Sequence, residues 1–290
     1  MWVWDEWMIF PENMWEKLCL DEKDISGSVY TILSNPGKDK IVAILPGTKS
    51  KSIIESIIAV ISKQALWMVK QICTDMSPAM ECIINALFPF SELVTDRFHV
   101  MKNLLEDLSS VRIRTKSKIK NQEATERKKA KERGEKYKPK RLRNWETFGE
   151  AISRVSRQMK KRKADRSWKQ RQRRIVMQHE EAFSELIEAY NYMMRLRKRY
   201  DNEDQDREIA EIELTKLIEK WEKIWKRIID VDTMAKMLLN RKESICNYFI
   251  QRHTNGYAEW LNSRISKLVS MSKWFADKDY MLYRITTIFA

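Results

Sequence analysis

The run Val69-Lys70-Gln71-Ile72-Cys73-Thr74-Asp75, with Met76-Ser77-Pro78-Ala79-Met80 directly behind it, decides how the chain is read. Val69–Thr74 is a short β-prone stretch that runs into an acid, and Ser77 then opens a helix extending to Leu87. The pattern repeats at once, because Leu93–Thr95 is a further strand ending at Asp96, with a long helix after it. Upstream, Lys17–Leu20 is a short apolar strand ending at Asp21-Glu22. Ser28–Leu33 is rich in β-branched and aromatic residues, Asn35-Pro36-Gly37-Lys38 is a turn, and Lys40–Leu45 is the returning strand. Between the two blocks Ile53, Ile54, Ile57, Ile58 and Ile61 recur at helical spacing. The order βββ-α-β-α-β-α predicts an α/β fold, a mixed sheet flanked by helices.

After about residue 100 no strand pattern survives. Phe183, Leu186, Ile187, Tyr190 and Met194 form one helical stripe, and Ile209, Ile212, Leu217, Trp221, Ile224, Trp225 and Ile228 form another. Asp201-Asn202-Glu203-Asp204 is the turn between them, so an antiparallel helical hairpin with these stripes as its core is expected. The tail from Ala235 is helical again, with a break near Thr254-Asn255-Gly256. Six Gly and six Pro in 290 residues argue against a turn-rich all-β protein, and 43% apolar residues suffice for a real core. No run approaches the ~20 apolar residues of a membrane span, and Met1–Glu6 lacks the basic and apolar regions of a signal peptide. Cysteines 19, 73, 82 and 246 show no zinc-ligand spacing. A reduced, cytoplasmic protein without a membrane partner is expected.

The charge is uneven. The chain carries 55 Lys and Arg against 41 Asp and Glu, a net +14, yet Met101–Arg174 alone carries +18 and the remainder −4. Four clusters concentrate it: Arg127-Lys128-Lys129, Lys138-Pro139-Lys140-Arg141, Lys160-Lys161-Arg162-Lys163 and Arg171-Gln172-Arg173-Arg174. Like charges gathered this densely repel one another and call for an external polyanion, such as nucleic acid or an acidic membrane face. Such contacts supply affinity for phosphates without a recognition sequence. Arg127, Lys128, Lys129, Lys160, Lys161, Arg162, Lys163, Arg171, Arg173 and Arg174 are the candidate phosphate contacts.

The acids gather where chemistry is expected. Asp21 and Asp75 each end a strand, and strand ends of an α/β sheet border the crevice where ligands bind. Two carboxylates on adjacent strands repel unless a cation lies between them. Oxygen-only ligands point to magnesium or manganese, and a pair of such ions supports phosphoryl transfer. Asp96 also reads simply as a helix cap, with Arg97 as a charge partner.

The segments Cys73-Thr74-Asp75-Met76-Ser77-Pro78-Ala79-Met80, Phe88-Pro89 and Val94-Thr95-Asp96-Arg97-Phe98-His99-Val100-Met101-Lys102 strongly resemble the core of DDE transposases of the ISL-three insertion-sequence family. Leu20-Asp21-Glu22 with Tyr30-Thr31-Ile32-Leu33 resembles that family's first catalytic strand and its neighbour. Thr254-Asn255-Gly256-Tyr257-Ala258-Glu259-Trp260-Leu261-Asn262-Ser263-Arg264-Ile265 resembles its last catalytic helix, and Tyr283–Phe289 its closing segment. The resemblance implies an RNase H-like catalytic core with a DDE triad of Asp21, Asp75 and Glu259, which holds two Mg2+ or Mn2+ ions. It also implies that a large helical insertion accounts for the 184-residue separation of Asp75 and Glu259, with its basic half and the contacts named above against double-stranded DNA. The expected division is a core part at 1–104, a basic all-helical insertion at 105–235, and C-terminal helices at 236–290 that complete the core. Asp96, His99, Lys102, Asn255 and Asn262 fall on family motifs. His99 either faces the active site or is structural.

Full-length relatives carry an N-terminal zinc-binding and helix-turn-helix region, whereas here Asp21 lies 20 residues after the start. The expected arrangement is therefore a catalytic half, working with a separate DNA-binding subunit or truncated, as a dimer on DNA at the bacterial nucleoid. After Lys267 the family's basic, Gly-containing stretch is replaced by Val269-Ser270-Met271-Ser272-Lys273-Trp274-Phe275-Ala276-Asp277. The expected activity is metal-dependent strand cleavage and strand transfer at insertion-sequence ends. The competing readings are a non-catalytic DNA-binding derivative of a transposase and an RNase H-like nuclease of other purpose.

Overall fold

The computed structural model describes residues 8–160, 171–202, 206–228, 233–271 and 278–290. In chain order come β1 (Lys17–Ile25), β2 (Ser28–Asn35), β3 (Lys40–Pro46), α1 (Ser50–Val60), α2 (Lys63–Trp67), β4 (Gln71–Thr74), α3 (Pro78–Leu87), β5 (Glu92–Thr95) and α4 (Arg97–Glu132). Then follow α5 (Phe148–Arg154), α6 (Arg171–Met177), α7 (Glu180–Asp201), α8 (Arg207–Ile228), α9 (Thr233–Asn240), α10 (Lys242–Gln251), α11 (Gly256–Met271) and α12 (Lys278–Phe289). Two compact units divide the chain: Met1–Val100 with Asp206–Glu208 and Arg241–Ala290, and Met101–Gln205 with Ile209–Asn240.

The first unit is built on a five-stranded sheet of order β3-β2-β1-β4-β5. β1, β2 and β3 pair antiparallel, whereas β4 and β5 continue parallel to β1. This is the mixed sheet expected from the order of elements. Side-chain alternation separates two apolar layers. Leu18, Leu20, Leu33 and Leu45 meet Ile53 and Ile57 of α1 and Met80, Ile83, Ile84 and Leu87 of α3. On the other layer Ile32, Ile41 and Ile44 meet Leu261 and Ile265 of α11 and Met281, Ile285 and Phe289 of α12. Each such fully buried aliphatic side chain contributes about 1.5–3 kcal/mol of transfer free energy, which fixes both helix layers to the sheet.

Strand β1 is longer than its apolar run suggests. Asp21 does not end it, because Asp21–Ile25 pairs with Ser28–Ile32 of β2 around a two-residue turn. Ser26 and Gly27 in that turn have φ of 53° and 80°, the positive values a tight hairpin of this kind requires. The charged run Asp21-Glu22-Lys23-Asp24 hides the strand from hydropathy, and cross-strand pairing supplies what the pattern lacks. The parallel pairing with β4 does stop at Leu20 and Thr74, so Asp21 marks the end of the parallel half of the sheet. The short α2 was not expected either, and it is set by Ser62, whose hydroxyl accepts from the Ala65 amide at 3.3 Å.

In the second unit α7 and α8 form the expected helical hairpin. Arg199, near the end of α7, pairs with Glu213, and Tyr192 meets Trp221 edge-on at 5.7 Å further along both helices, an antiparallel pattern; Glu203 and Asp204 of the expected turn lie outside the described residues. The stripe register needs correction. On α7 Met193 is buried and Met194 is only partly so. On α8 the buried set is Ala210, Leu214, Ile218 and Trp221, while Ile209 and Ile212 are exposed. The helix carries apolar residues on two faces, and the face spaced by steps of four, four and three is the one that packs. The side chains of Ile224, Trp225 and Ile228 lie outside the described residues. No described helix is long and apolar enough to cross a membrane.

Candidate active site

The sheet register brings three aspartates into one row. Leu20 pairs with Thr74, and Thr74 with Thr95, so Asp21, Asp75 and Asp96 each follow the same position on three adjacent parallel strands. On β1 Leu18 and Leu20 point into the α1–α3 layer, which turns Asp21 to the α11 side. Helix α11 packs there through Leu261 and Ile265. Asn255, Glu259 and Asn262, spaced four and three apart, consequently share one face of that helix start. The sequence therefore positions the acids twice over, by strand register and by helical period.

Hydrogen bonds tie these groups together. Asn262 Nδ2 donates to Asp21 Oδ2 at 2.9 Å and Asn255 Nδ2 to the same oxygen at 3.2 Å, while the Glu22 amide donates to Asp21 Oδ1 at 2.8 Å. Asp75 Oδ1 accepts from the Ser77 amide at 2.8 Å, at the start of α3. Asp96 is buried, and its Oδ2 accepts from the Phe98 amide at 3.1 Å, the His99 amide at 3.3 Å and His99 Nδ1 at 3.0 Å. Its Oδ1 accepts from the Asn255 amide at 3.2 Å. Asp96 thus caps α4, as expected, and it also joins α4 to the start of α11. His99 is a charge partner of Asp96 here.

Burial and mutual repulsion shape the electrostatics. Burial pushes the Asp21 carboxyl up from its ordinary range, and Asp75 adds to the shift. Burial also raises Glu22, again with the charges of Asp75 and Asp21. Glu259 is raised by burial and by Asp96, with His99 acting in the opposite sense. His99 moves up because its ring bonds to Asp96 and is surrounded by carboxylates. Glu22 was not singled out by sequence reasoning as a site residue. It lies on the opposite phase of β1 from Asp21 and meets Asp75 and Ser77 at the start of α3, a proximity that no local pattern encodes.

A cation fits this group. The carboxylates repel one another, and the wholly buried Asn255 Oδ1 has no hydrogen-bond partner, although its amide nitrogen bonds Asp21. An orphaned amide oxygen among carboxylates is a hard-ion donor set. Among the described residues Asp96, His99 and Glu259 form a group of three whose donor atoms all lie within 4.8 Å of one another. Asp21 and Asp75 are coupled electrostatically, and Asp21 is bonded to both asparagines. Glu259 has Asp96 and His99 as its immediate donor neighbours.

Beneath this row Cys19 Sγ lies 3.5 Å from His253 Nε2, both buried. Burial pushes the Cys19 thiol up and His253 down to about 4, so this pair is neutral interior. Cys19, Cys73 and Cys246 are buried and in no disulfide.

In the second unit Lys102 is exposed on α4. Arg127, Lys128, Lys129, Lys160 and Arg174 are exposed as well. Arg173 is turned inward instead, donating to the Tyr190 hydroxyl at 2.9 Å and lying 5.6 Å from its ring centre. Lys161, Arg162 and Lys163 lie outside the described residues, as does the side chain of Arg171.

A transposase family model, DDE_Tnp_ISL3, matches residues 18–285, which includes every member of the aspartate row and the α11 face. Comparison with curated proteins and with solved structures returns no significant match. The match spans nearly the whole chain and takes in the motif segments around Asp21, Asp75, Asp96 and Glu259, so the chain belongs to the ISL-three family of DDE transposases.

Proposed function

We propose that this transposase cuts and joins DNA strands at insertion-sequence ends by metal-dependent phosphoryl transfer, with an RNase H-like core and Asp21, Asp75 and Glu259 as its catalytic carboxylates. The observation that carries this reading is the row of acids across three parallel strands, faced by Glu259 from α11. Asp21, Asp75 and Glu259 would hold divalent magnesium or manganese. When bound, such ions supply an activated oxygen nucleophile and neutralise charge at the phosphorus.

The protein's own residues prepare that site. Asn255 and Asn262 orient Asp21 through two amide donors, and the Ser77 amide fixes Asp75. The 3.0 Å bond to Asp96 and the amide bonds around it hold His99 and the start of α11 in place. Glu259 is exposed, so a DNA backbone can reach the acids. Residues 105–235 are the family's helical insertion in this reading. Arg127, Lys128, Lys129, Lys160 and Arg174 meet duplex phosphates, and Lys161, Arg162, Lys163 and Arg171 join them on their charge. In this reading two copies act together on paired ends in a bacterial cytoplasm.

The test is a nicking and strand-transfer assay with cognate transposon ends. Activity with magnesium or manganese, none with EDTA, and none in Asp75→Asn is expected. Full activity in Asp75→Asn contradicts the assignment, and preference for branched DNA over transposon ends contradicts the substrate.

A further inference from the structure

Asp96 and His99 differ from the other site residues in how their atoms are already used. Asp96 is 2% exposed and takes four hydrogen bonds, three from backbone amides and one from His99 Nδ1. A carboxylate engaged in that way is an orienting group with little left to give a cation. Backbone amides bond both of its oxygens as acceptors, and a carboxylate accepts without donating. His99 Nδ1 is therefore the ring's N–H donor, which leaves Nε2 as the metal-binding nitrogen once its proton is displaced. Its side chain is 26% exposed, and one of its ring nitrogens lies within 4.8 Å of a Glu259 oxygen. A carboxylate bonded to one ring nitrogen, in a ring that other carboxylates surround, is the arrangement by which metal-ligating histidines are oriented.

We propose that His99 supplies a nitrogen ligand to the ion held by Glu259, with Asp96 as the positioning residue behind it. This rests on the metal-dependent reading above. The site beside Glu259 is then of mixed nitrogen and oxygen character, and it differs from an all-oxygen magnesium site. Imidazole favours transition ions, and affinity for a given site rises from Mn2+ to Co2+ and Ni2+. Mn2+ and Co2+ should accordingly bind more tightly than Mg2+, by a margin that depends on His99. The chain has three histidines; of the other two, His253 lies against Cys19 and His179 belongs to the second unit.

The test uses the full chain loaded with Mn2+ at pH 8 and pulsed electron paramagnetic resonance, which detects nitrogen bonded to manganese without any turnover. Nitrogen modulation is expected in the wild type and in His179→Gln, and is absent in His99→Gln. Titration calorimetry should show the Mn2+ over Mg2+ preference shrinking at least about 10-fold in His99→Gln, the range typical when a supporting site group is removed. Asp96→Asn, whose amide oxygen can still accept the ring N–H, should keep the nitrogen modulation while Mn2+ affinity falls about 10–100-fold. Bound Mn2+ that Asp75→Asn weakens but that shows no nitrogen modulation overturns the role of His99 alone. Modulation that persists in His99→Gln overturns it equally. Mn2+ binding that is absent, or indifferent to Asp75→Asn, overturns the metal site itself and this proposal with it.

Discussion

Asp75→Asn should make the metal-free protein more stable while it destroys the site. Asparagine keeps the one hydrogen bond seen for this side chain, because its Oδ1 can accept from the Ser77 amide as Asp75 Oδ1 does at 2.8 Å. What it removes is a charge that raises both Asp21 and Glu22. Both neighbours are partly exposed, so each repulsion is screened to a fraction of a kcal/mol, and relief of the two comes to about 1 kcal/mol. For a chain of this length that is an increase of about 2–4 °C in Tm. The sign with pH follows from raised carboxyl pKa values. The repulsion is fully present above those raised values and vanishes as pH falls through them, because a protonated Asp21 no longer feels Asp75. The variant's advantage is thus largest near pH 7–8 and disappears toward pH 4. Added Mn2+ should invert the order, since an ion at 100 times its Kd stabilises the wild type by about 2.7 kcal/mol and the variant by much less. Differential scanning calorimetry with EDTA and with Mn2+ measures all of this. A metal-free variant that melts below the wild type, or an equal metal-induced rise in both, refutes the reasoning.

Leu261→Ala removes a fully buried side chain between Glu259 and Asn262, and should cost about 2–5 kcal/mol, read as a lower urea midpoint with an unchanged slope. Ile212→Ser, on the exposed side of α8, should stay within about 0.5 kcal/mol in the same titration. Replacing Arg127, Lys128 and Lys129 by Ala should weaken duplex binding irrespective of sequence. Every phosphate that is no longer neutralised should lower the slope of log K against log salt by about 0.9, and an unchanged slope would remove these residues from the DNA path.

Much of the sheet was legible because its strands carry their own boundaries. Asn35, for example, closes the β2–β3 turn through its side chain, with Oδ1 accepting from the Gly37 and Lys38 amides at 2.9 and 3.2 Å. The charged half of β1 was not legible, since its strand state comes from pairing with β2. The α8 register failed for a similar reason: Ile209 and Ile212 compete with Ala210 and Leu214 for the buried face, and only the partner helix decides. In the site, Asp21 and Asp75 were readable from their positions after apolar runs. Asp96 was read correctly as a cap, but its bond to His99 and its grouping with Glu259 depend on residues far apart in sequence. The inward turn of Arg173 onto Tyr190 was hidden likewise, because a cluster of like charges says nothing about which member packs inside.

The most direct test of the central claim is the rate of 3′-OH release from labelled transposon-end DNA in Glu259→Gln with magnesium or manganese. Glu259 is exposed and its removal leaves the α11 core contacts of Leu261 and Ile265 intact, so folding is not at issue. The account predicts a loss exceeding the roughly 10–100-fold typical of groups that merely support a metal site, with duplex binding retained. Cleavage at the wild-type rate in this variant would contradict it.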